Sequence, residues 1–173
     1  MINIVLYQPE ISPNTSNIIR CCYATGAKLH IIKPIAFDLH PHWLKRAAAG
    51  HFLSDIPHEI HNSWNDFEKK YGSKNIFYIS RYAQNTYSEI DYKQIYENEK
   101  EVWLMFGTES TGIPKKILQK NLDNCLRIPM MPNARSLNLS NTVAILSYEV
   151  VKQLDFENLS KYEVQKGKDF IKE

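Results

Sequence analysis

The chain has 173 residues, enough for one domain with a sizeable core. Its formal net charge is only +2, so no global field points to nucleic acid, and any RNA contact must come from a local basic patch. No apolar run approaches a membrane span, and Met1-Ile2-Asn3-Ile4-Val5-Leu6 is too short and too uncharged for a signal peptide, so a cytoplasmic protein with no membrane partner is expected.

Ile2 to Tyr7 reads as a buried strand. Pro9 and Pro13 bracket a loop, with Asn14 or Asn17 available to cap the next helix. That helix carries Ile18, Ile19, Cys22 and Tyr23 on one face and ends at Gly26, a good residue just past a helix end. Leu29 to Ile32 is a second strand, and Trp43 to Ala49 a short helix. Ser63-Trp64-Asn65-Asp66 resembles a capping box that starts a helix to about Tyr71. Ile76 to Ser80, Val102 to Phe106 and Leu126 to Ile128 are further strands. Arg81 to Lys100 is polar and Tyr-rich and reads as a long surface connection. Leu139 to Leu154 is the longest helix, with Val143, Leu146, Val150 and Leu154 on one side.

Strands alternate with helices, and the strands are continuous apolar runs. This predicts an α/β domain with a mostly parallel sheet and helices on both faces, spanning residues 1–155, followed by a mixed-charge tail or loose terminal helix at 156–173. Cys21, Cys22 and Cys125 are odd in number and lack C-x-x-C spacing, which speaks against a disulfide framework and a zinc site; they read as small buried hydrophobes. The six histidines are scattered without metal-ligand spacing, so no metal is expected.

Three polar loops carry the candidate chemistry. The first, Pro13-Asn14-Thr15-Ser16-Asn17-Ile18-Ile19-Arg20, follows a strand, where ligands gather in open α/β sheets. Asn14 is expected in the loop, and Arg20 suits bidentate capture of a phosphate. The alternative is a helix capped by one Asn, with Arg20 on a solvated face. The second, Phe106-Gly107-Thr108-Glu109-Ser110-Thr111-Gly112-Ile113-Pro114, has the glycine spacing of a P-loop. Ile113-Pro114 stands where that loop needs Lys then Ser or Thr, so phosphate cradling fails. Pro114 fits the first position of a helix, and Glu109 is otherwise a solvated acid. The third runs from Ile128-Pro129-Met130 to Arg135-Ser136-Leu137-Asn138-Leu139-Ser140-Asn141. A structural loop needs one cap, not four small polar residues, so this density points to a bound ligand, with backbone amides near Ile128 and Met130 facing an adenine edge. Lys45-Arg46, beside Trp43 and His51, and Arg135 form a candidate basic patch for single-stranded RNA, or else a solvated face.

In this order, Asn14-x-x-Asn17-x-x-Arg20, Phe106-Gly107-x-Glu109-x-x-Gly112-Ile113-Pro114 and the third loop resemble the three motifs of the SPOUT-class (SpoU-type) RNA 2′-O-ribose methyltransferases. The opening Ile4-Val5-Leu6-Tyr7-Gln8-Pro9-Glu10-Ile11 is similar to their minimal branch, which methylates the wobble cytidine or uridine of tRNA. The resemblance covers about Met1 to Leu154. It implies a deep C-terminal trefoil knot, S-adenosylmethionine bound in the knot, a homodimer with the site at its interface, and tRNA, with leucine tRNAs foremost, as substrate rather than DNA. Carried over, Ile79, Gly107, Ile128 and Ser136 would hold the donor, with Glu109, Met130 and Leu137 close by. Asn14 and Arg20 would be catalytic and face the ribose from the other subunit. Lys45, Arg46, Arg135 and Asn138 would touch RNA.

The chain departs from the family pattern at Ser16, commonly Gly, at Thr108, commonly Pro, and at Arg46-Ala47-Ala48-Ala49-Gly50-His51, usually Arg-Ala-Gly-Leu-Asp-Tyr. The family assigns the general base to Arg20. A guanidinium stays protonated in proteins, so physical chemistry favours a clamp on phosphate and on developing alkoxide charge. Methylation of another tRNA or rRNA ribose, and a non-catalytic RNA-binding knot protein, remain alternatives at this point.

Overall fold

The computed structural model describes residues 1–39 and 50–171. Its strands are β1 (Ile2–Tyr7), β2 (Lys28–Ile32), β3 (His58–His61), β4 (Ile76–Ile79), β5 (Asn85–Thr86), β6 (Val102–Phe106) and β7 (Cys125–Arg127). Among the described residues they form one sheet in the order β3-β2-β1-β6-β4-β7-β5, every neighbouring pair parallel. The helices are α1 (Ser12–Thr25), α2 (Trp64–Tyr71), α3 (Tyr92–Glu99), α4 (Lys115–Gln119) and α5 (Leu139–Gln153). After β1 the chain winds outward through β2 and β3, then returns to the far side of β6. The winding therefore reverses between β1 and β6, and a crevice opens beyond the strand C-termini at such a point.

Both faces of the sheet are covered, which is why the central strands read as unbroken apolar runs. Along β1, Ile4 and Leu6 point to one layer, where Ile18 and Ile19 of α1 and Val143, Leu146 and Val150 of α5 meet Leu104 and Leu126. Val5 points to the other, with Phe67 of α2, Trp103, Met105 and Ile117. The predicted central elements agree with these bounds to within a residue or two. Ser63 caps α2 as expected, its hydroxyl accepting from the Asp66 amide at 3.1 Å. Gly26 ends α1 in the left-handed conformation.

Several expectations are corrected. α1 begins at Ser12, so Asn14 lies in its first turn rather than in the loop, and neither Asn14 nor Asn17 caps it. Tyr23 is 52% exposed and does not join Ile18, Ile19 and Cys22 in the core. β3 escaped notice because His58-Glu59-Ile60-His61 is a polar edge strand, held by its pairing with β2. The stretch from Arg81 to Lys100 is not a bare connection: it holds β5, a 3₁₀ turn and α3. There Asp91 accepts from the Gln94 amide, and fully buried Tyr92 anchors the helix. Pro114 caps α4 instead of opening it. Past Leu154 the described chain is turns rather than helix, and Phe156 and Leu159 pack onto the core. The helix expected at Trp43 to Ala49 lies outside the described residues.

Candidate functional site

Four loops leave the C-terminal ends of β1, β4, β6 and β7 and line an open cavity of about 520 Å³. Ile79, Gly107, Glu109, Ile128, Met130, Ser136 and Leu137, the whole expected donor set, line it. Asn14, Arg135 and Asn138 line it too. Residues as far apart as 14 and 138 thus come together through the parallel sheet order.

The loops are tied by side-chain hydrogen bonds. Glu109 Oε2 accepts from the Glu10 amide at 2.8 Å, and its Oε1 accepts from the Ile11 amide at 3.1 Å and from Asn14 Nδ2 at 3.0 Å. Glu10 reciprocates, its carboxylate accepting from the Ser110 amide at 2.8 Å and hydroxyl at 2.7 Å. α1 has no side-chain cap of its own, so the second loop holds its entrance. Asn14 Oδ1 in turn accepts from Asn138 Nδ2 at 2.9 Å. Asn138 Oδ1 accepts from the amides of Ser140 and Asn141 at 2.9 and 3.3 Å and caps α5. One chain of bonds therefore joins all three motif loops and fixes the amide of Asn14, which is 6% exposed. Glu109 is not a solvated acid. Asn138, expected at the RNA, is exposed, and its amide ties the first loop to the start of α5.

Gly107 has a steric reason to be glycine. A Cβ there would overlap the backbone of Gly112 and Ile113, which the loop folds back against it. Thr108 and Gly112 exchange backbone bonds at 3.0 and 3.2 Å, closing a tight turn in place of a phosphate-binding loop. Opposite, the backbone groups of Ile128, Met130 and Leu137 hydrogen-bond to no other described residue. The cavity therefore offers apolar side chains with free amide edges between them, the surface that takes a flat heterocycle.

Arg20 does not line this cavity. It is exposed on α1 and bonds to no described side chain or carbonyl. Lys45 and Arg46, with Trp43, lie outside the described residues. Sequence reasoning missed Arg81 and Tyr82, which stand at the cavity rim. The available signal was their position directly after a strand, where the other site loops also begin.

The histidines are not all scattered. His30 and His61 sit side by side on β2 and β3, and with Glu59 their donor atoms lie within 4.8 Å of one another. The groups are engaged with their neighbours: His30 Nδ1 meets His61 Nε2 at 3.1 Å, and His30 Nε2 meets Asn3 Oδ1 at 3.3 Å. Glu59 accepts from Lys70 at 2.6 Å, Tyr71 at 2.7 Å and Lys28 at 3.3 Å. Burial, reinforced by Lys28, pushes His30 down to about 3. Burial alone would raise the Glu59 carboxyl, but its bonds from Lys70, Tyr71 and Lys28 outweigh that and hold it at about 2. Two ammonium groups beside the one carboxylate disfavour a cation, and the trio reads as a polar knot in the core. The cysteines are free; Cys22 and Cys125 are buried, as expected, while Cys21 is half-buried, and burial raises all three thiols.

Residues 1–148 match the model of the SpoU rRNA Methylase family. A tRNA (cytidine(34)-2′-O)-methyltransferase from Saccharophagus degradans is 41% identical over 159 residues, covering 90% of this chain and 97% of the relative. A solved structure concerned with 2-OH methylation of C/U34 on tRNA is 33% identical with a TM-score of 0.79, covering 90% of this chain and 91% of that one. An AdoMet-bound rRNA methyltransferase from Sinorhizobium meliloti is 25% identical with a TM-score of 0.74, covering 88% of this chain and 56% of that one.

Proposed function

Since this chain belongs to the SpoU rRNA methylase family, we propose that it is an S-adenosylmethionine-dependent tRNA methyltransferase. It methylates the 2′-oxygen of the wobble nucleotide, a cytidine or modified uridine, in the cytoplasm, and leucine tRNAs are the first substrates to test. The observation that carries this reading is the cavity itself. The expected donor residues converge on one cavity with unpaired backbone edges, walled in part by the three motif loops.

When bound, S-adenosylmethionine supplies an electrophilic methyl group on a sulfonium. Ile79, Ile128 and Leu137 would give it apolar contact, and the amides of Ile128 and Met130 would pair with its adenine edge. Position matters most here, because charge on sulfur and on the attacking oxygen cancels as the bond forms. Asn14 keeps one amide hydrogen and one lone pair beyond its bonds to Glu109 and Asn138, and these orient the ribose. Arg20 clamps the adjacent phosphate and stabilises developing alkoxide charge, while the proton leaves to phosphate or water. No metal enters this scheme.

The reading includes a homodimer with Arg20 serving the partner's cavity. Its exposure outside its own cavity supports this, as does Tyr148 of α5, 47% exposed. It also includes the trefoil knot. Support comes from β7, which enters between β4 and β5 although both precede it, and from the third loop, whose Arg135 carbonyl is held by Arg81 of the loop after β4. Residues 1–155 form the catalytic domain, and Lys45, Arg46, Arg135 and Asn138 contact RNA.

The test is methyl transfer from radiolabelled S-adenosylmethionine to unmodified tRNA, with nuclease mapping of the labelled ribose. Label at the wobble nucleotide is expected. Label at another ribose would keep the chemistry and discard the substrate. tRNA binding without donor dependence would favour a non-catalytic binding protein.

A further inference from the structure

We propose that Arg81 and Tyr82 form a stacking platform for a single-stranded RNA base flanking the methylated nucleotide, at the mouth of the donor cavity. This rests on the RNA-methylating reading above. The pair follows β4 in a turn that is well anchored: the Ala83 amide donates to the Ser80 carbonyl at 3.2 Å, the Tyr82 amide to Ser80 Oγ at 3.3 Å, and Ala83 is buried. The turn sends Arg81 and Tyr82 outward over the rim.

Tyr82 is 71% exposed, yet it is not loose. Arg81 Nη2 donates to its hydroxyl at 2.6 Å, and the guanidinium carbon lies 4.7 Å from its ring centroid. Arg81 Nη1 donates to the Arg135 carbonyl at 2.9 Å, so the guanidinium is itself fixed to the third loop. The ring is thus held in place while most of its surface stays in water. An exposed aromatic gains nothing from the core, and burial cannot account for its ordering.

An ordered, solvent-facing ring beside a guanidinium suits an unstacked base. Bases of single-stranded RNA stack on aromatic side chains, and an adjacent Arg with spare N–H groups takes the neighbouring phosphate. Exposed Arg135, whose carbonyl Arg81 holds, continues this surface on the facing loop. The donor's adenine is the poorer occupant. Its expected holders, Gly107, Ile128 and Leu137, stand on the loops after β6 and β7 that line the rest of the cavity.

The experiment compares wild type, Tyr82→Ala, Tyr82→Phe and Arg81→Ala. For each, the Kd of a labelled RNA hairpin carrying the wobble nucleotide in its loop is measured beside the Kd of S-adenosylhomocysteine and the KM and kcat of methylation. Tyr82→Ala should weaken hairpin binding about 5- to 100-fold, raise KM more than it lowers kcat, and leave S-adenosylhomocysteine affinity in place. Tyr82→Phe should recover most of the loss, and Arg81→Ala should weaken binding with a salt slope reduced by about one. Unchanged hairpin affinity in Tyr82→Ala would overturn the platform, as would a loss confined to S-adenosylhomocysteine, which would assign the pair to the donor. A wild type that methylates no RNA would sink the proposed function as well; a wild type that methylates, beside an unaffected Tyr82→Ala, would sink the platform alone.

Discussion

On the β2–β3 flank, His30, His61, Glu59, Lys28, Lys70 and Tyr71 satisfy one another, and His30 and His61 are buried. Beyond the ends of β1, β6 and β7, Glu10, Glu109, Asn14, Asn138 and Ser110 also bond to one another, but around a space. Both clusters combine acids with polar neighbours, and the His–Glu trio even has the residue types of a metal site. The difference lies in what is left over. On the flank the acceptors are taken up by lysines and a tyrosine. At the cavity the side chains bind one another so that Asn14 is fixed and the backbone of Ile128, Met130 and Leu137 stays free. A site is marked by groups held in place with capacity remaining, more than by polar density.

Substitutions can break this contrast. The largest effect belongs to Arg20→Lys, which keeps the charge and removes the fork. Turnover should fall by about 10²–10³-fold in single-turnover methylation, with donor affinity retained. Near-wild-type turnover would remove the clamp. Gly107→Ala comes next. Its Cβ meets backbone on the facing strand of the turn, so stability should drop by roughly 3 kcal/mol in denaturant titration, and donor affinity with it. A tolerated Ala would mean the turn can open freely.

Asn14→Ala sharpens the comparison. It leaves Glu109 and Asn138 each short of one partner, a loss of about 1–3 kcal/mol shared between stability and kcat. Thermal melts beside kcat separate the two shares, and an effect on stability alone would demote Asn14 to a loop tie. On the flank the expected effect is smaller and set by pH. The ordinary His30 value of 6.5 falls to about 3 on folding, so the unfolded chain takes up a proton that the folded one refuses. Stability should therefore decline as pH falls from 6.5 toward 3. The Glu59 contribution, full above 4.5, declines toward 2 and steepens the loss. Melting temperatures across this range should slope downward with acid, and His30→Gln should flatten the upper part. An unchanged slope in that variant would show that the pair does not govern acid stability.

The central fold was legible because β1, β2, β4 and β6 are buried on both faces and must be apolar throughout. Polar β3 and two-residue β5 owe their existence to neighbours already in place, so local sequence carried no mark of them. Composition marked the third loop as more than a cap, while Gly107, Ser136 and Leu137 were singled out only by the resemblance of the three motifs, and the structure brings them to one cavity. The bond from Asn138 to Asn14 spans 124 positions and could not be read from either segment, nor could the rescue of the α1 entrance by Glu109. Arg81 and Tyr82 escaped notice because nothing in a polar, Tyr-rich stretch distinguishes an ordered exposed ring from a solvated one.

The measurement that bears most directly on the account is calorimetric titration of S-adenosylhomocysteine into wild type and Arg20→Lys, run beside wobble-nucleotide methylation by the same two preparations. The account predicts saturable binding of equal affinity in both, with methylation lost only in the variant, because the donor slot and the Arg20 clamp are separate pieces of surface. Absent binding in wild type, or affinity that falls together with activity in Arg20→Lys, would contradict it.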